Sequence, residues 1–318
     1  MRSLKGIRVL VSGGTGFIGS HLVRRLIAEN AKVSVLASNG DSLWRLKDLT
    51  QKVRIYTSNI AKEKEVFACV KSFKPQIIFN VAGMRKIDRD IRMLGPSLDI
   101  NLLGPLNFFK AIQKFNLKLQ AFIQTGSLEE YGTGSVPFRE GQREEPVSPY
   151  SASKLAATQF CQMLHRSLKF PVIVLRPCLL YGPYQDTDMF IPLLIEHCLK
   201  EKDFAMTSGE QTRDLGFVTD AIDAYLLAIK HPEAIGEVIN VGTGKEYKIK
   251  YVAKKIVKIS GSRIQLNMGS VPKRVAEIEH LVCDNSKAKR LLGWSPQTDL
   301  DKGLRQTIAW YRSRQKED

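Results

Sequence analysis

A tyrosine and a lysine four residues apart are the residues of this chain best suited to proton transfer. Residues 148–154 read Ser-Pro-Tyr-Ser-Ala-Ser-Lys. In a helix this spacing places Tyr150 and Lys154 one turn apart on the same face. A phenol has a pKa near about 10, and a neighbouring ammonium group lowers that pKa by stabilising the phenolate. The pair therefore predicts a general acid–base centre that moves a hydroxyl proton while a hydride is transferred.

A glycine-rich segment near the amino terminus predicts a site for a dinucleotide. The apolar run 7–11 has the pattern of a buried strand, and glycines follow at positions 13, 16 and 19, before a stretch with helical periodicity. Gly13 permits a tight turn, Gly16 lets the backbone approach a pyrophosphate, and Gly19 lets helix and strand pack closely. The amino terminus of the helix supplies free N–H groups to the phosphates.

The elements that must position these residues alternate regularly up to about residue 175. Apolar runs typical of strands span Ile7–Val11, Lys32–Leu36, Val53–Thr57, Gln76–Val81, Ala121–Thr125 and Val172–Leu175. This alternation predicts an α/β fold, a doubly wound parallel sheet with helices on both faces. Ligands bind such sheets beyond the carboxyl ends of the strands, where the glycine segment, Ser127 and the Tyr150 helix would lie. After Pro177 the alternation fades, although Phe190–Lys200 still has the pattern of a helix.

Seven further segments, in order, resemble the extended short-chain dehydrogenase/reductase family, in its branch acting on nucleotide sugars. They are Asn-Val-Ala-Gly at 80–83, Ile-Asn-Leu-Leu-Gly at 100–104, Thr-Gly-Ser-Leu-Glu-Glu-Tyr-Gly at 125–132, the Arg-Pro and Tyr-Gly-Pro of 176–183, Arg-Asp to Asp at 213–220, Asn-Val-Gly-Thr-Gly at 240–244 and Leu-Gly-Trp-Ser-Pro at 292–296. The resemblance covers nearly the whole chain. It implies a Rossmann cofactor domain at 1–177 with about 216–241, and a smaller substrate domain at 178–215 and 242–318.

The resemblance also implies roles for the acid–base residues. Tyr150 would donate or accept the proton, Lys154 would bind the nicotinamide ribose, and Ser127 would hydrogen-bond the reacting oxygen. The alternative for Ser127 is a residue that only forms the turn after a strand. A competing class for the whole chain is a non-catalytic nucleotide sensor on the same fold. The presence of all three residues argues against such an inactive site.

The cofactor is expected to be NADP(H), with NAD(H) left open. The second strand is followed by Ala-Ser-Asn-Gly at 37–40, so no carboxylate is expected at the adenosine ribose before Asp41. Arg45 would then pair with a 2′-phosphate, or else face solvent, and Asn59 stands where the family often has an adenine-binding Asp. The residues expected to contact the cofactor are Gly13, Thr15, Gly16, Phe17, Ile18, Gly19, Ser38, Asn39, Arg45, Asn59, Ile60, Val81, Ala82, Gly83, Asn101, Tyr150 and Lys154.

The substrate implied by the resemblance is a nucleoside diphosphate sugar. Arg213 and Arg274 are expected to hold its diphosphate, since a guanidinium fork suits phosphate oxygens, and Glu277 follows Arg274 as in the family. Glu129 stands where 4,6-dehydratases carry a catalytic base, but Leu128 replaces the Asp that several of them have beside it. The segment 126–132 also resembles that of 4-keto-6-deoxy-sugar reductases. The resemblance therefore implies reduction of an NDP-4-keto-6-deoxyhexose at carbon 4, ahead of an NDP-hexose 4-epimerase, with a 4,6-dehydratase third.

Composition limits the other possibilities. The 318 residues are 43% hydrophobic and 25% charged, which is ordinary for a globular protein. The net charge of +16 is spread along the chain with no dense basic block, which disfavours nucleic acid as a partner. No apolar run is long enough for a membrane span, and the five scattered cysteines suggest neither a metal site nor disulfides, so a cytoplasmic protein is expected. By resemblance a homodimer is expected, packed through Leu98–Phe115 and Ser151–Leu168, with Leu155, Gln159, Gln162 and Met163 at the seam.

Overall fold

A parallel sheet occupies the centre of the molecule in the computed structural model, which describes residues 3–84 and 89–314. The strands of these residues are β1 Arg8–Ser12, β2 Lys32–Ala37, β3 Arg54–Thr57, β4 Ile77–Asn80, β5 Ala121–Thr125, β6 Val172–Pro177, β7 Leu179–Tyr181, β8 Phe204–Met206, β9 Thr212–Phe217, β10 Val238–Val241, β11 Glu246–Lys248, β12 Leu266–Met268 and β13 His280–Leu281. Seven of them form the central sheet, in the order β10-β6-β5-β4-β1-β2-β3, and every neighbouring pair is parallel.

Helices cover both faces of this sheet, because parallel strands are joined by crossovers that lie above or below it. The α-helices of the described residues are α1 Phe17–Ala28, α2 Glu63–Phe73, α3 Leu94–Leu98, α4 Gly104–Lys114, α5 Pro149–Leu168, α6 Phe190–Leu199, α7 Val218–Ala228, α8 Ile249–Ser260, α9 Ser286–Leu292 and α10 Leu300–Arg314. Short 3₁₀ turns occur at Trp44–Leu49, Ile91–Met93, Leu128–Tyr131 and Pro232–Ala234, and a π-helical turn at Asp99–Leu103.

The apolar residues of the strands fill two core layers, one on each face of the sheet. Val9, Val11 and Ile123 belong to one layer, whereas Leu10, Ile78 and Phe122 belong to the other. This alternation follows from the period of two along a strand. The doubly wound parallel sheet is thus confirmed, and each of the six predicted strands agrees with the structure to within two residues at either end.

The later part of the chain builds a separate layer beyond the carboxyl ends of the sheet strands. Here β9 pairs with β7, β11 and β13, and β8 pairs with β12. A third core cluster joins α6, α8 and α10 around residues such as Leu194, Val252 and Leu304. The division of the chain into a cofactor domain and a substrate domain remains a prediction that agrees with this arrangement.

The predicted helix Leu98–Phe115 is helical almost throughout but is not a regular α-helix. A π-helical turn at Asp99–Leu103 separates α3 from α4. Pro105 lies in the first turn of α4 and has no backbone N–H, so it cannot donate the regular bond to the carbonyl of Asn101. The homodimer remains a prediction. Among the residues expected at its interface, Met163 is 40% exposed. None of the described helices is both long and apolar enough to cross a membrane.

Candidate active site

A cleft of about 1440 Å³ lies along the carboxyl ends of the sheet strands, between the sheet and the later part of the chain. This is where ligands bind in open parallel sheets. All of the residues predicted for the site line this cleft except Asn39, Asn101, Lys154 and Glu277. The residues predicted for the site thus converge on one cleft, and these four lie outside its lining.

The glycine segment forms the floor of one end of the cleft. Gly13 has a φ of +68°, and a side chain there would come within 2.7 Å of the backbone of Ala82, which follows the neighbouring strand β4. A Cβ on Gly19 would lie 2.1 Å from the carbonyl oxygen of Gly13. Gly16 precedes α1 in an extended conformation, and its Cβ position is nearly open. This cradle of backbone at a helix amino terminus fits a pyrophosphate.

A carboxylate that was not among the predicted site residues, Asp41, lines the cleft beside the glycine segment. Gly40 has a φ of +86° and turns the chain back after β2, so that Asp41 accepts hydrogen bonds from the Ser38 backbone N–H and the Thr15 hydroxyl, both at 2.8 Å. Asp41 also lines the cleft, whereas Asn39 does not. The structure thus adds a carboxylate to this part of the cleft, where the sequence was expected to place only small polar residues. The signal available in the sequence was the Asn-Gly-Asp turn directly after the strand.

The Arg45 side chain is neither free to bind a 2′-phosphate nor exposed to solvent. Its side chain is 7% exposed and forms an ion pair with Asp186. It also donates to the carbonyl oxygens of Tyr184, at 2.7 Å, and Thr15, at 3.3 Å. The Arg45 guanidinium thus connects the segment after β2 to the segment after β7. Asn59 lines the cleft, and its side-chain oxygen accepts the Ala61 N–H at 2.9 Å.

Lys154 and Asn101 lie behind the cleft wall at the end of β4. A Cβ on Gly83 would meet the Lys154 Nζ at 2.9 Å and the Asn101 side-chain oxygen at 3.2 Å, so a side chain there would displace the Lys154 ammonium group. Lys154 is buried and donates to the carbonyl oxygen of Thr125 at 2.9 Å. Asn101, in the π-helical turn, donates to the Ser153 hydroxyl at 2.8 Å and accepts the Met84 N–H at 3.1 Å.

Tyr150 begins the helix that carries the acid–base pair. Ser148 caps α5 by accepting the Ser151 N–H at 3.0 Å, and Pro149 occupies the first turn, where its missing N–H costs nothing. Tyr150 and Lys154 share one face, with the Lys154 Nζ 5.9 Å from the centre of the Tyr150 ring. The predicted juxtaposition is therefore present in the structure.

The predicted effect of Lys154 on the phenol is not present. Burial raises the pKa of Tyr150 above its usual value, the carboxylates of Glu129 and Glu130 add to the rise, and the Ser127 hydroxyl opposes it. Burial also lowers the pKa of Lys154 to about 8, against the opposing effect of Glu130. A partly desolvated ammonium that is held by the Thr125 carbonyl stabilises a phenolate poorly. In this state Tyr150 is a protonated phenol at neutral pH, suited to donating a proton.

Ser127 follows β5 and faces the same end of the cleft as Tyr150. Its hydroxyl accepts the Glu129 N–H at 3.1 Å, and this bond starts the 3₁₀ turn Leu128–Tyr131. The two interpretations of Ser127 are therefore compatible, because a hydroxyl that caps a turn keeps its proton for a second oxygen. Leu128 is buried in the core, so its position offers no second acid.

Charged residues converge opposite Tyr150. Burial raises the pKa of Glu129, opposed by Arg213, Arg89 and Arg274 in decreasing order, and its Oε2 is buried without a partner among the described residues. Arg213 is paired with Glu277 and donates to the carbonyl of Ile278 at 2.8 Å. Glu277 therefore holds Arg213 rather than lining the cleft.

Arg89 is a cleft residue that the sequence analysis missed. It donates to the carbonyl oxygens of Val275, at 3.2 Å, and Ala276, at 3.0 Å. Its Nη1 is buried and has no partner among residues 3–84 and 89–314. No signal marked this residue, because it is a single arginine whose partners lie more than 180 positions away. Together with Arg213 and the exposed Arg274, it gives this end of the cleft a cationic wall suited to a diphosphate.

Comparisons with known proteins agree with this geometry. A family model described as the NAD dependent epimerase/dehydratase family matches residues 9–242. A dTDP-glucose 4,6-dehydratase of Haemophilus influenzae is 28% identical, over 96% of this chain and 98% of its own. A UDP-glucose 4-epimerase of Thermotoga maritima, solved with UDP-glucose, superposes with a TM-score of 0.90 at 26% identity, over 97% of this chain and 100% of its own. A dTDP-glucose 4,6-dehydratase of Bacillus anthracis, solved in complex with NAD, gives a TM-score of 0.88 at 25% identity, over 98% of each chain.

Proposed function

The chain belongs to the NAD dependent epimerase/dehydratase family, and on that basis we propose that it oxidises or reduces carbon 4 of a hexose carried on a nucleoside diphosphate. The relatives support the substrate class, since one was solved with UDP-glucose and another is a dTDP-glucose 4,6-dehydratase. The cationic wall of Arg89, Arg213 and Arg274 would hold the diphosphate. The sugar would then lie towards Tyr150 and Ser127, where the cleft ends.

Within this class we propose reduction of a 4-keto sugar as the direction of net reaction. The observation that carries this proposal is the pair of consecutive carboxylates, Glu129 and Glu130, beside the buried phenol of Tyr150. Burial raises the pKa of Tyr150 and both carboxylates add to the rise, so the phenol is protonated before the reaction, as a proton donor to a developing alkoxide must be. The buried Leu128 leaves no second acid for the elimination of water, which disfavours a dehydratase.

Each residue has a defined task in this reaction. Bound nicotinamide in its reduced form supplies the hydride. Ser127 donates a hydrogen bond to the ketone oxygen, and Tyr150 delivers its proton to that oxygen as negative charge develops there. Lys154, which donates to the Thr125 carbonyl in this structure, would bind the hydroxyls of the nicotinamide ribose. The arginines fix the diphosphate, so that the sugar carbon is presented to one face of the cofactor.

A 4-epimerase is the second candidate, and two observations favour it. The structural relative solved with UDP-glucose is a 4-epimerase. Asp41 also suits NAD, which an epimerase reduces and reoxidises within one catalytic cycle without net consumption. A reductase must instead exchange its cofactor at every turnover.

One assay separates the two activities. The enzyme is mixed with reduced cofactor and an NDP-4-keto-6-deoxyhexose, and the absorbance of the reduced nicotinamide is followed. We expect its stoichiometric loss. Interconversion of NDP-hexoses at carbon 4 without net loss of reduced cofactor would replace the reductase with the epimerase, and the absence of both reactions would contradict the proposal as a whole.

We propose NAD(H) as the preferred cofactor, reversing the preference expected from the sequence. The Asp41 carboxylate, held by Ser38 and Thr15, would accept hydrogen bonds from the adenosine ribose and repel a 2′-phosphate. We expect the dissociation constant of NADPH to exceed that of NADH by about 10-fold or more, since two like charges a few Å apart near a protein surface repel by more than about 1.4 kcal/mol.

The Asp41→Asn variant tests this assignment. The amide keeps the size of the side chain and removes the charge, so NADPH should bind more tightly than to the wild type and NADH more weakly. Asp48→Asn is the matched control, because Asp48 is an exposed carboxylate paired with Arg24 outside the cleft. Tighter binding of NADPH than of NADH by the wild type would contradict the assignment.

A further inference from the structure

A fully buried carboxylate lies directly behind the catalytic residues. Glu130 has no exposed surface and does not line the cleft. Its carboxylate accepts three hydrogen bonds, each at 2.8 Å, from the Ser127 backbone N–H, the Thr158 hydroxyl and the Arg176 Nε. A glutamate buried to this degree is rare unless it is paired. Its contacts therefore call for a role beyond packing.

The partner of Glu130 is an equally buried arginine. Arg176, on β6, has no exposed surface and pairs with Glu130 at 2.7 Å and with the part-buried Glu144 at 2.7 Å. Its guanidinium also lies 4.5 Å from the centre of the Tyr131 ring. A guanidinium is always charged in proteins, and a buried charge must be paired. Glu130 and Glu144 supply the partners of this buried guanidinium.

We propose that Glu130 is a positioning residue that locks the Ser127 turn to the helix carrying Tyr150 and Lys154. This proposal rests on the reaction proposed above, in which Ser127 and Tyr150 act on one oxygen. The two residues lie on different elements, the turn after β5 and the first turn of α5. The Glu130 carboxylate joins these elements, since it accepts from Ser127 on one side and from Thr158 of α5 on the other.

The position of Thr158 strengthens the link. Thr158 lies one helical turn after Lys154, which lies one turn after Tyr150, so all three share a face of α5. A shift of the turn relative to α5 would break the buried hydrogen bond from Thr158 to Glu130. The distance between the Ser127 and Tyr150 hydroxyls is thereby held fixed, and misplacement by about 1 Å can cost about 100-fold in rate.

Glu130 also affects the charge of Lys154. Burial depresses the pKa of Lys154 to about 8, and Glu130 is the group that opposes this shift. Other ionisable groups lie around the carboxylate on each packed element: Arg176 on β6, Glu144 in the loop before α5, Tyr131 in its own turn, and Tyr150 and Cys161 on α5. Neutralising Glu130 is expected to lower the pKa of Lys154 further, because an anion stabilises a nearby ammonium.

The Glu130→Gln variant tests the proposal. The amide keeps the shape but not the charge, so we expect kcat to fall roughly 10- to 100-fold, with the KM for the sugar nucleotide near its wild-type value. The alkaline limb of the pH profile of kcat should move to lower pH. Glu144→Gln is the matched control: it removes a carboxylate from the same arginine without touching Ser127 or α5, and it should keep the wild-type kcat and pH profile. A wild-type kcat and alkaline limb in Glu130→Gln, or equal losses in both variants, would overturn the proposal.

Two further measurements keep the test decisive. Thr158→Val removes only the bond to α5, so kcat should fall while the alkaline limb stays in place. If Glu130→Gln does not fold, a wild-type kcat in Thr158→Val overturns the proposal.

The pH dependence of NADH binding needs no sugar substrate. In Glu130→Gln, the alkaline inflection of NADH binding should occur at lower pH than in the wild type. If the wild type turns over no NDP-hexose, the proposed function fails, whereas an unmoved inflection contradicts the role of Glu130.

Discussion

Replacing Tyr150 with phenylalanine is expected to lower kcat by about 10³- to 10⁴-fold, towards the upper end of what a general acid contributes. The variant loses only a hydroxyl, and the ring continues to pack at the start of α5. The dissociation constant of NADH should change little, because the glycine cradle and Asp41 are untouched. Stopped-flow measurement of nicotinamide absorbance gives the rate, and fluorescence titration gives the binding constant.

Tyr131→Phe is the matched control for this variant. Tyr131 is a buried tyrosine close to the site, but its hydroxyl points away and donates to the Asn240 side chain at 2.8 Å. Its removal should cost about 1 kcal/mol of stability and leave kcat near the wild-type value. Retention of wild-type turnover in Tyr150→Phe, or an equal loss in Tyr131→Phe, would contradict the assignment of Tyr150 as the proton donor.

Replacing Gly19 with alanine is expected to have the second largest effect, on stability and cofactor binding together. The new methyl group would lie 2.1 Å from the Gly13 carbonyl oxygen and 2.7 Å from the Gly14 Cα, and both contacts are backbone. Relief requires α1 to move away from β1, which deforms the pyrophosphate cradle. We expect a loss of about 3 kcal/mol or more in the free energy of unfolding, the upper range for overpacking. Thermal unfolding and NADH titration measure the two effects.

The Gly16→Ala variant separates the effect on stability from the effect on cofactor binding. A methyl group there meets only the Gly13 carbonyl oxygen at 3.3 Å, so the fold should accept it with little change in Tm. The same methyl group points to where a pyrophosphate would approach, so NADH should still bind more weakly. An unchanged Tm in Gly19→Ala would show that the close approach of α1 and β1 is not required.

The sequence predicted the fold well because its signals were local. Buried parallel strands are continuous apolar runs, and glycines at 13, 16 and 19 accompany one particular strand–turn–helix geometry. The family comparisons confirm the predicted relationship to nucleotide-sugar enzymes. The break at Asp99–Leu103 was missed, because helical periodicity continues across it and only Pro105 signals the change.

The site was predicted less completely because some of its properties depend on distant partners. Arg45 was expected at a phosphate, but Asp186, 141 positions away, takes its guanidinium. The pKa of Tyr150 was expected to fall beside Lys154, but burial outweighs that effect, and burial cannot be read from a spacing of four residues. Asp41 was visible in the sequence, yet its position depends on the turn at Gly40. Spacing thus predicts which residues meet, whereas their charge states follow from how they pack.

The order of strands in the central sheet limits how this protein can be divided and recombined. β6 ends at Pro177, but its outer neighbour β10 begins only at Val238. The intervening strands β7, β8 and β9 belong to the smaller sheets. A fragment ending at Pro177 would leave a buried strand with an open edge, which is a template for aggregation. Residues 1–177 are therefore not expected to form a transferable module. New substrate preferences in such an architecture arise by altering the loops threaded between its strands, rather than by exchanging one half of the chain for another.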